Sequence, residues 1–208
     1  VTARLFPYFR NEKKQHNGYF FLLLVVGFVG FFVFLAVFLF LKSWLVDISL
    51  AKSALFVEYI WYLVPLTFFT LFFFLFDSFY TVLYNSTFGT FLREFFMRVL
   101  ILVALGAFML QWINFNHFVN WYVVALCLPT IAMIGMLVKQ KYFVVKPQLH
   151  FISKQLKGDL FNMLGFGFIF GFSGILMQNI SQTFLGAQVG LSAAGIFTIM
   201  YYLGNIII

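Results

Sequence analysis

Long apolar runs separated by short polar gaps dominate the sequence. The runs are Tyr19 to Leu41, Tyr59 to Leu83, Val99 to Ile113, Phe118 to Val138, Leu160 to Leu185 and Leu191 to Ile208. An apolar helix of about 20 residues crosses the hydrocarbon core of a bilayer and satisfies its own backbone hydrogen bonds there. The pattern therefore predicts an all-α, polytopic membrane helical bundle with six transmembrane helices.

The basic residues predict the orientation of these helices. Every Lys and Arg except Lys42 and Lys52 lies before the first run, between the second and third, or between the fourth and fifth. Basic residues accumulate on the cytoplasmic side, so the amino-terminal segment is predicted to be cytoplasmic in a multi-pass protein of the inner (cytoplasmic) membrane. Tryptophans favour the headgroup level, and all four fall at predicted outer ends: Trp44, Trp61, Trp112 and Trp121.

Composition agrees with a membrane protein. With 63% hydrophobic residues, 9% charged residues and a mean hydropathy of +1.01, the chain is too apolar for a soluble domain of its length. The net charge of +7 lies in the predicted cytoplasmic segments, where it suits anionic lipid headgroups and requires no nucleic acid. Because the chain opens with Val1 and stops inside an apolar run at Ile208, we expect a fragment of a larger transporter.

The sequence lacks the common motifs of catalysis and metal binding. It contains no GxxxxGK[ST] phosphate loop, no HExxH and no CxxC, and its histidines are isolated from one another. The outer gap from Lys42 to Glu58 is too short to form a catalytic domain. We therefore expect a protein that is not an enzyme and that needs no cofactor and no metal.

Asp77 is the one carboxylate well inside a predicted span. A central Asp costs about 2.5 to 3.5 kcal/mol to insert, which the neighbouring Leu and Phe residues offset. Such a carboxylate tends to face a bundle interior or water, so a cavity or ion-coupling role and a structural role near the inner interface are both open. Arg93 and Arg98 follow in an amphipathic stretch, where substrate contact and snorkelling to the interface both explain them. All three are candidate substrate-binding residues.

The fifth run has the most regular polar pattern. Small and polar residues recur at helical spacings on one face: Gly167, Gly171, Gly174, Gln178 and Gln182. The glycines permit close helix packing. Gln178, Asn179 and Gln182 are candidates for hydrogen bonds to a sugar or phosphate, and the alternative is an outer helix end in water.

Three short segments carry a family resemblance. They are Leu5-Phe6-Pro7-Tyr8-Phe9-Arg10, then Phe91-Leu92-Arg93-Glu94 with Arg98, and Gly186 followed by Ala194-Gly195-Ile196-Phe197-Thr198. Together with the order of the apolar runs, they resemble Wzx-type polysaccharide flippases of the multidrug, oligosaccharidyl-lipid and polysaccharide exporter superfamily. The resemblance implies two six-helix lobes that form a V around a central cavity, of which this chain covers about the third to the eighth helix.

The resemblance also implies a division of the chain. Residues 1–138 would form the remainder of the amino-terminal lobe with four spans, residues 139–159 a cytoplasmic basic linker, and residues 160–208 the truncated start of the carboxy-terminal lobe with two spans. The lysines between Lys139 and Lys157 independently suit a solvated connection.

The function implied by the resemblance is the transfer of a polyprenyl-pyrophosphate-linked oligosaccharide across the membrane, for surface polysaccharide biosynthesis. The transporter would be a monomer that works by alternating access, with that lipid-linked oligosaccharide and membrane lipids as its partners. Two alternatives stay open. A multidrug or cation exporter of the same fold would favour cavity carboxylates such as Asp77. A membrane-embedded glycan polymerase or transferase would need a large polar outer loop.

The charge and tryptophan patterns predict which positions face each side of the membrane. Cysteines introduced at Lys14 and Lys146 should be shielded from an impermeant thiol reagent in intact cells, while one at Asp47 should react, because basic segments stay cytoplasmic. Labelling is measured before and after the cells are opened. Equal labelling of all three positions in intact cells would contradict the topology.

Overall fold

The computed structural model describes residues 6, 9, 18–50, 54–83, 86–142 and 154–205, and these residues form helices and turns without any strand. The chain divides into two compact units, Thr2–Phe151 and Ile152–Ile208. The middle of the predicted basic linker, residues 143–153, lies outside the described residues, as do Leu5, Pro7, Tyr8 and Arg10 of the first family motif.

Six helices, one 3-10 turn and one π-helical turn are the helical elements of the first unit that the structure describes. In chain order they are α1 (Tyr19–Leu50), α2 (Ala54–Tyr59), a 3-10 turn (Ile60–Tyr62), α3 (Leu63–Val82), α4 (Ser86–Phe91), a π-helical turn (Leu92–Phe96), α5 (Met97–Met109) and α6 (Phe115–Lys139). The second unit contains α7 (Lys154–Gln188) and α8 (Leu191–Asn205).

Three helical stretches of the described residues are long and apolar enough to cross a membrane: Tyr19–Asp47, Val57–Val82 and Phe115–Lys139. The number is four if Asn162–Leu176 and Asn179–Gln188, which are bent by 44° at a short break, count as one span. Helices of this length and composition are typical of a membrane protein. α5 has 13 residues and α8 has 15, so the count of six spans stays a prediction.

α1 and α3 are antiparallel and meet along a row of aromatic rings. The ring centroids of Phe28 and Phe72 are 4.9 Å apart, and those of Phe31 and Phe68 are 5.0 Å apart. Two further pairs extend the row to its ends: Tyr19 with Phe79, and Phe38 with Trp61. Because apolar helices gain little from leaving lipid for one another, close packing and dispersion must hold this contact together.

Gly27 sets the close approach of α1 to α3. A Cβ atom at Gly27 would lie 2.5 Å from Leu75 Cδ1 and 3.3 Å from Phe72 Cε1. Gly30, one turn further along, would place its Cβ 3.9 Å from Leu71 Cδ1, an ordinary contact. A side chain at Gly27 would therefore force Leu75 to move, whereas Gly30 has room.

α3 and α6 are parallel, and side-chain hydrogen bonds join them at several levels. Midway along the helices, Thr130 Oγ1 donates to the carbonyl oxygen of Phe69 over 2.8 Å, and Thr130 is buried. Tyrosine hydroxyls of α3 and the turn before it donate to amide oxygens at the two ends of α6: Tyr80 to Gln140, and Tyr62 to Asn120. Hydrogen bonds of this kind hold apolar helices in a fixed register.

The helix directions give the first unit two chemically different ends. α5 and α6 form an antiparallel hairpin in which Phe108 contacts Phe118, with ring centroids 5.2 Å apart. One end, here the tryptophan end, carries Trp44, Trp61, Trp112 and Trp121. The opposite end, here the basic end, carries Arg93, Arg98, Lys139 and Lys141. Which end faces the cytoplasm stays a prediction.

Phe6 and Phe9, the described residues of the first family motif, are buried at the basic end. The ring centroid of Phe9 lies 5.1 Å from that of Tyr19, and Phe6 contacts both Tyr19 and Phe79. Phe6 and Phe9 thus pack against the start of α1 and the end of α3.

In the second unit, α7 and α8 pack against each other across a tight turn. Gly190 occupies this turn with φ +118°, a conformation that residues with a side chain rarely adopt. Gly186 contacts α8, because a Cβ atom there would lie 3.7 Å from Ala194 Cβ. Gly186 and Ala194 therefore lie at the contact between these two helices.

Candidate functional site

Three of the residues predicted from the sequence come together at the basic end. Asp77 lies near the end of α3, Arg93 lies in the π-helical turn, and Arg98 lies in the first turn of α5. The chain reverses its direction between α3 and α5, and the π-helical turn lies beside the last turns of α3. The hairpin thus joins residues that are separated along the sequence.

Glu94 links these three residues into a chain of alternating charges. Arg93 Nη1 lies 3.9 Å from Asp77 Oδ2, and Arg93 Nε donates to Glu94 Oε1 over 3.1 Å. Arg98 Nη2 donates to the other oxygen, Glu94 Oε2, over 2.6 Å. We call these four residues the arginine cluster. Glu94 follows Arg93 directly in the sequence, and its charge alone gave no reason to predict it as a site residue.

Exposure increases along the arginine cluster. The side chain of Asp77 is 18% exposed, that of Arg93 is 40% exposed and that of Arg98 is 69% exposed. Exposed ion pairs contribute about 0 to 1 kcal/mol in water, so the pair of Arg98 with Glu94 is easily exchanged. A guanidinium has five N–H donors, and the contacts above engage only part of them. An anion therefore has donors to bind, most accessibly on Arg98.

Gly89 of α4 allows Asp77 to approach the neighbouring helix. A Cβ atom at Gly89 would overlap Asp77 Oδ1 and would lie 2.7 Å from its Cγ. It would also lie 3.2 Å from Met133 Cε of α6. The carboxylate of Asp77 thus lies directly against the α4 backbone, between α3 and the π-helical turn.

The π-helical turn carries Arg93 and Glu94 and was not expected from the sequence. Turns of this kind interrupt α-helices for a single turn and are frequent at functional sites. Here the turn separates α4 from α5, so Gly89 lies on one side of it and Arg98 on the other. No sequence pattern indicated it, because the stretch from Phe91 to Arg98 reads as an ordinary amphipathic helix.

A shallow, open groove runs along one face of α3. It has a volume of about 580 Å³, and its lining is mostly apolar. Three hydroxyl side chains lie in it, Thr67, Thr70 and Ser78, and Ser78 directly follows Asp77. The groove therefore combines apolar surface with a row of hydroxyl groups.

The other predicted residues belong to α7, in the second unit. The amide nitrogen of Asn179 donates to the carbonyl oxygen of Ile175 over 2.8 Å, within its own helix. Gln182 is half-buried, and the side chain of Gln178 lies outside the described part of the structure. These residues therefore belong to a different unit from the arginine cluster.

No group of three or more His, Cys, Asp or Glu side chains suited to a metal occurs within the described ranges.

The comparisons with known proteins give no relative: no family model, no curated protein and no solved structure matches the chain. The geometry of the site and the sequence motifs are therefore the basis for a functional proposal.

The contact of Asp77 with Gly89 predicts a stability effect that depends on both residues. Gly89→Ala should lower the free energy of unfolding by about 1 to 3 kcal/mol, because the new methyl group displaces the carboxylate. In an Asp77→Ala background the same change should cost at least about 1 kcal/mol less, because the methyl group then has room. Unfolding of the purified variants in detergent measures both values.

Gly106→Ala is the matched control, since a Cβ atom there meets no atom within 4 Å. It should leave stability nearly unchanged. An equal cost of Gly89→Ala in both backgrounds would show that Asp77 does not occupy the space beside Gly89.

Proposed function

We propose that the chain belongs to a membrane transporter that moves a polyprenyl-pyrophosphate-linked oligosaccharide across the cytoplasmic membrane by alternating access. In this proposal its six spans form part of a two-lobed, V-shaped fold, and the basic end faces the cytoplasm. Gln178, Asn179 and Gln182 would belong to the second lobe. The observation that carries the proposal is the arginine cluster, with an exposed Arg98 held by a shared carboxylate.

The arginine cluster suits a pyrophosphate because phosphate oxygens can take the place of Glu94. Glu94 divides its two oxygens between Arg93 and Arg98, so each arginine receives one of them. A phosphate offers planar, bidentate hydrogen bonds to a guanidinium, and such charge-assisted bonds are stronger than ordinary ones. Exchange of Glu94 for substrate would leave Arg93 paired with Asp77, which keeps the half-buried carboxylate compensated.

The groove on α3 supports the same substrate class. A lipid-linked oligosaccharide has an apolar tail and a polar head, and its transport path must accept both. The groove offers apolar side chains such as Phe74, which is 50% exposed, and the hydroxyls of Thr67, Thr70 and Ser78. The hydroxyl groups can donate to and accept from sugar hydroxyls.

A cation exporter of the same fold is less well supported. Such a protein would need a carboxylate that is available to a positively charged substrate. Asp77, the deepest carboxylate, has the guanidinium of Arg93 3.9 Å away and the α4 backbone against it. A cation would have to displace Arg93, which is itself held by Glu94.

Substitutions of Arg98 test phosphate contact against a simple interfacial position. If Arg98 binds phosphate, Arg98→Lys should reduce transport by about tenfold, because it loses the bidentate fork, and Arg98→Gln should reduce it further. If Arg98 only snorkels to the interface, Lys should serve as well as Arg. The measurement is glycan delivery to the periplasmic face at matched membrane abundance.

Lys139→Gln is the control, because it removes one positive charge from an exposed position at the same end. It should leave delivery unchanged and so separates loss of a specific contact from loss of net charge. Delivery by Arg98→Gln at the wild-type level would remove Arg98 from the site.

A further inference from the structure

A second pocket lies at the tryptophan end, on the opposite side of the unit from the arginine cluster. Its volume is about 380 Å³, and six residues line it: Glu58, Tyr59, Trp61, Tyr62, Asn116 and Asn120. The first four come from the end of α2 and the 3-10 turn, and the two asparagines from the first turns of α6. None of the six was a candidate from the sequence.

The pocket has a regular internal arrangement. The rings of Tyr59 and Tyr62 are stacked, with centroids 5.7 Å apart and planes inclined by 15°. The hydroxyl of Tyr59 donates to Oδ1 of Asn116, and that of Tyr62 donates to Oδ1 of Asn120. Two tyrosines one turn apart thus pair with two asparagines one turn apart, which fixes the orientation of both amide groups.

These hydrogen bonds use the amide oxygens, so the Nδ2 nitrogen of each asparagine can donate to a ligand. With Oδ1 bound to a hydroxyl, the Nδ2 groups of Asn116 and Asn120 have no protein acceptor in the described ranges, and both asparagines are exposed. Glu58 adds an exposed carboxylate that lies beside the Tyr59 hydroxyl, and its remaining lone pairs can accept hydrogen bonds from a ligand. The pocket therefore presents two amide donors and one strong acceptor beside aromatic rings.

Aromatic residues at a membrane surface also serve as anchors, and this role explains Trp61 and the tyrosines. It does not explain why each tyrosine hydroxyl is paired with an asparagine, since water at the headgroup level satisfies a phenol. Nor does it require a concave surface. Lys42 Nζ lies 4.0 Å from the centre of the Trp61 ring, so one face of that ring is already covered.

We infer that this pocket binds a sugar unit of a glycan at the tryptophan end. A pyranose ring has an apolar face of C–H groups that packs on aromatic rings, and hydroxyl groups that both donate and accept hydrogen bonds. The amides of Asn116 and Asn120 supply donors, and the carboxylate of Glu58 supplies an acceptor. The identity of the glycan rests on the proposed function, but the recognition chemistry does not.

The test is saturation-transfer NMR of the purified protein in detergent micelles with glucose, galactose, N-acetylglucosamine and maltose as probes. We expect saturation to be transferred to at least one of these sugars. The Asn116→Ala/Asn120→Ala variant should weaken that binding by about tenfold, because two hydrogen bonds are lost. Asn114→Ala is the matched control, since Asn114 precedes α6 outside the pocket and its side chain makes no capping hydrogen bond.

The outcomes separate the pocket from the transport proposal. Transfer that is weaker in the double variant and unchanged in Asn114→Ala supports the pocket, even if the protein moves no lipid-linked glycan. Absence of transfer to all four sugars, or equal transfer to the wild type and the double variant, overturns the pocket. Glycan delivery measured on the same variants then shows whether the transport proposal stands without it.

Discussion

The packing of α3 between α1 and α6 is the contact on which the rest of the first unit depends. One side of α3 contacts α1 through the row of aromatic rings. Another side contacts α6 through Thr130 and the tyrosine hydroxyls. Lipid tails are as apolar as these helices, so fit and directional hydrogen bonds rather than expulsion from water determine the arrangement. Gly27 and Gly89 contribute by allowing α1 and Asp77 to approach closely.

The same packing positions both candidate binding surfaces. Asp77 near the end of α3 holds Arg93, and through Glu94 the position of Arg98 is linked to it. The 3-10 turn before α3 carries Tyr62, whose partner on α6 is Asn120. A shift of α3 along α6 would therefore disturb both the arginine cluster and the pocket at the tryptophan end. The same helix thus contributes to the position of both surfaces.

Much of the helical architecture was predictable from hydropathy alone. The first, second and fourth apolar runs correspond to α1, α3 and α6, because uninterrupted apolar stretches of this length have few alternatives to a helix. The third run, Val99 to Ile113, is less regular, because α5 ends at Met109 and a π-helical turn precedes α5 in the helical stretch that begins at Ser86. Hydropathy is averaged over a window of residues and therefore does not detect a single π-helical turn.

The candidate sites were only partly predictable. Asp77, Arg93 and Arg98 were recognisable because charges near apolar runs are rare, but their linkage through Glu94 depends on how the hairpin folds. The pocket of Tyr59, Tyr62 and the asparagines was missed for the opposite reason. Its residues lie at the ends of runs, where tyrosine and asparagine are ordinary, and their pairing spans more than 50 positions of sequence. Only tertiary geometry brings them together.

The proposed movement of a lipid-linked oligosaccharide between leaflets can be measured in a reconstituted system. Purified protein is placed in liposomes that contain a fluorescent polyprenyl-pyrophosphate oligosaccharide, and an impermeant quencher is added outside. With the protein present, the inner-leaflet fluorescence should also be quenched, over time and faster than in protein-free liposomes. Quenching that stops at the outer leaflet, as it does without protein, would contradict the claim.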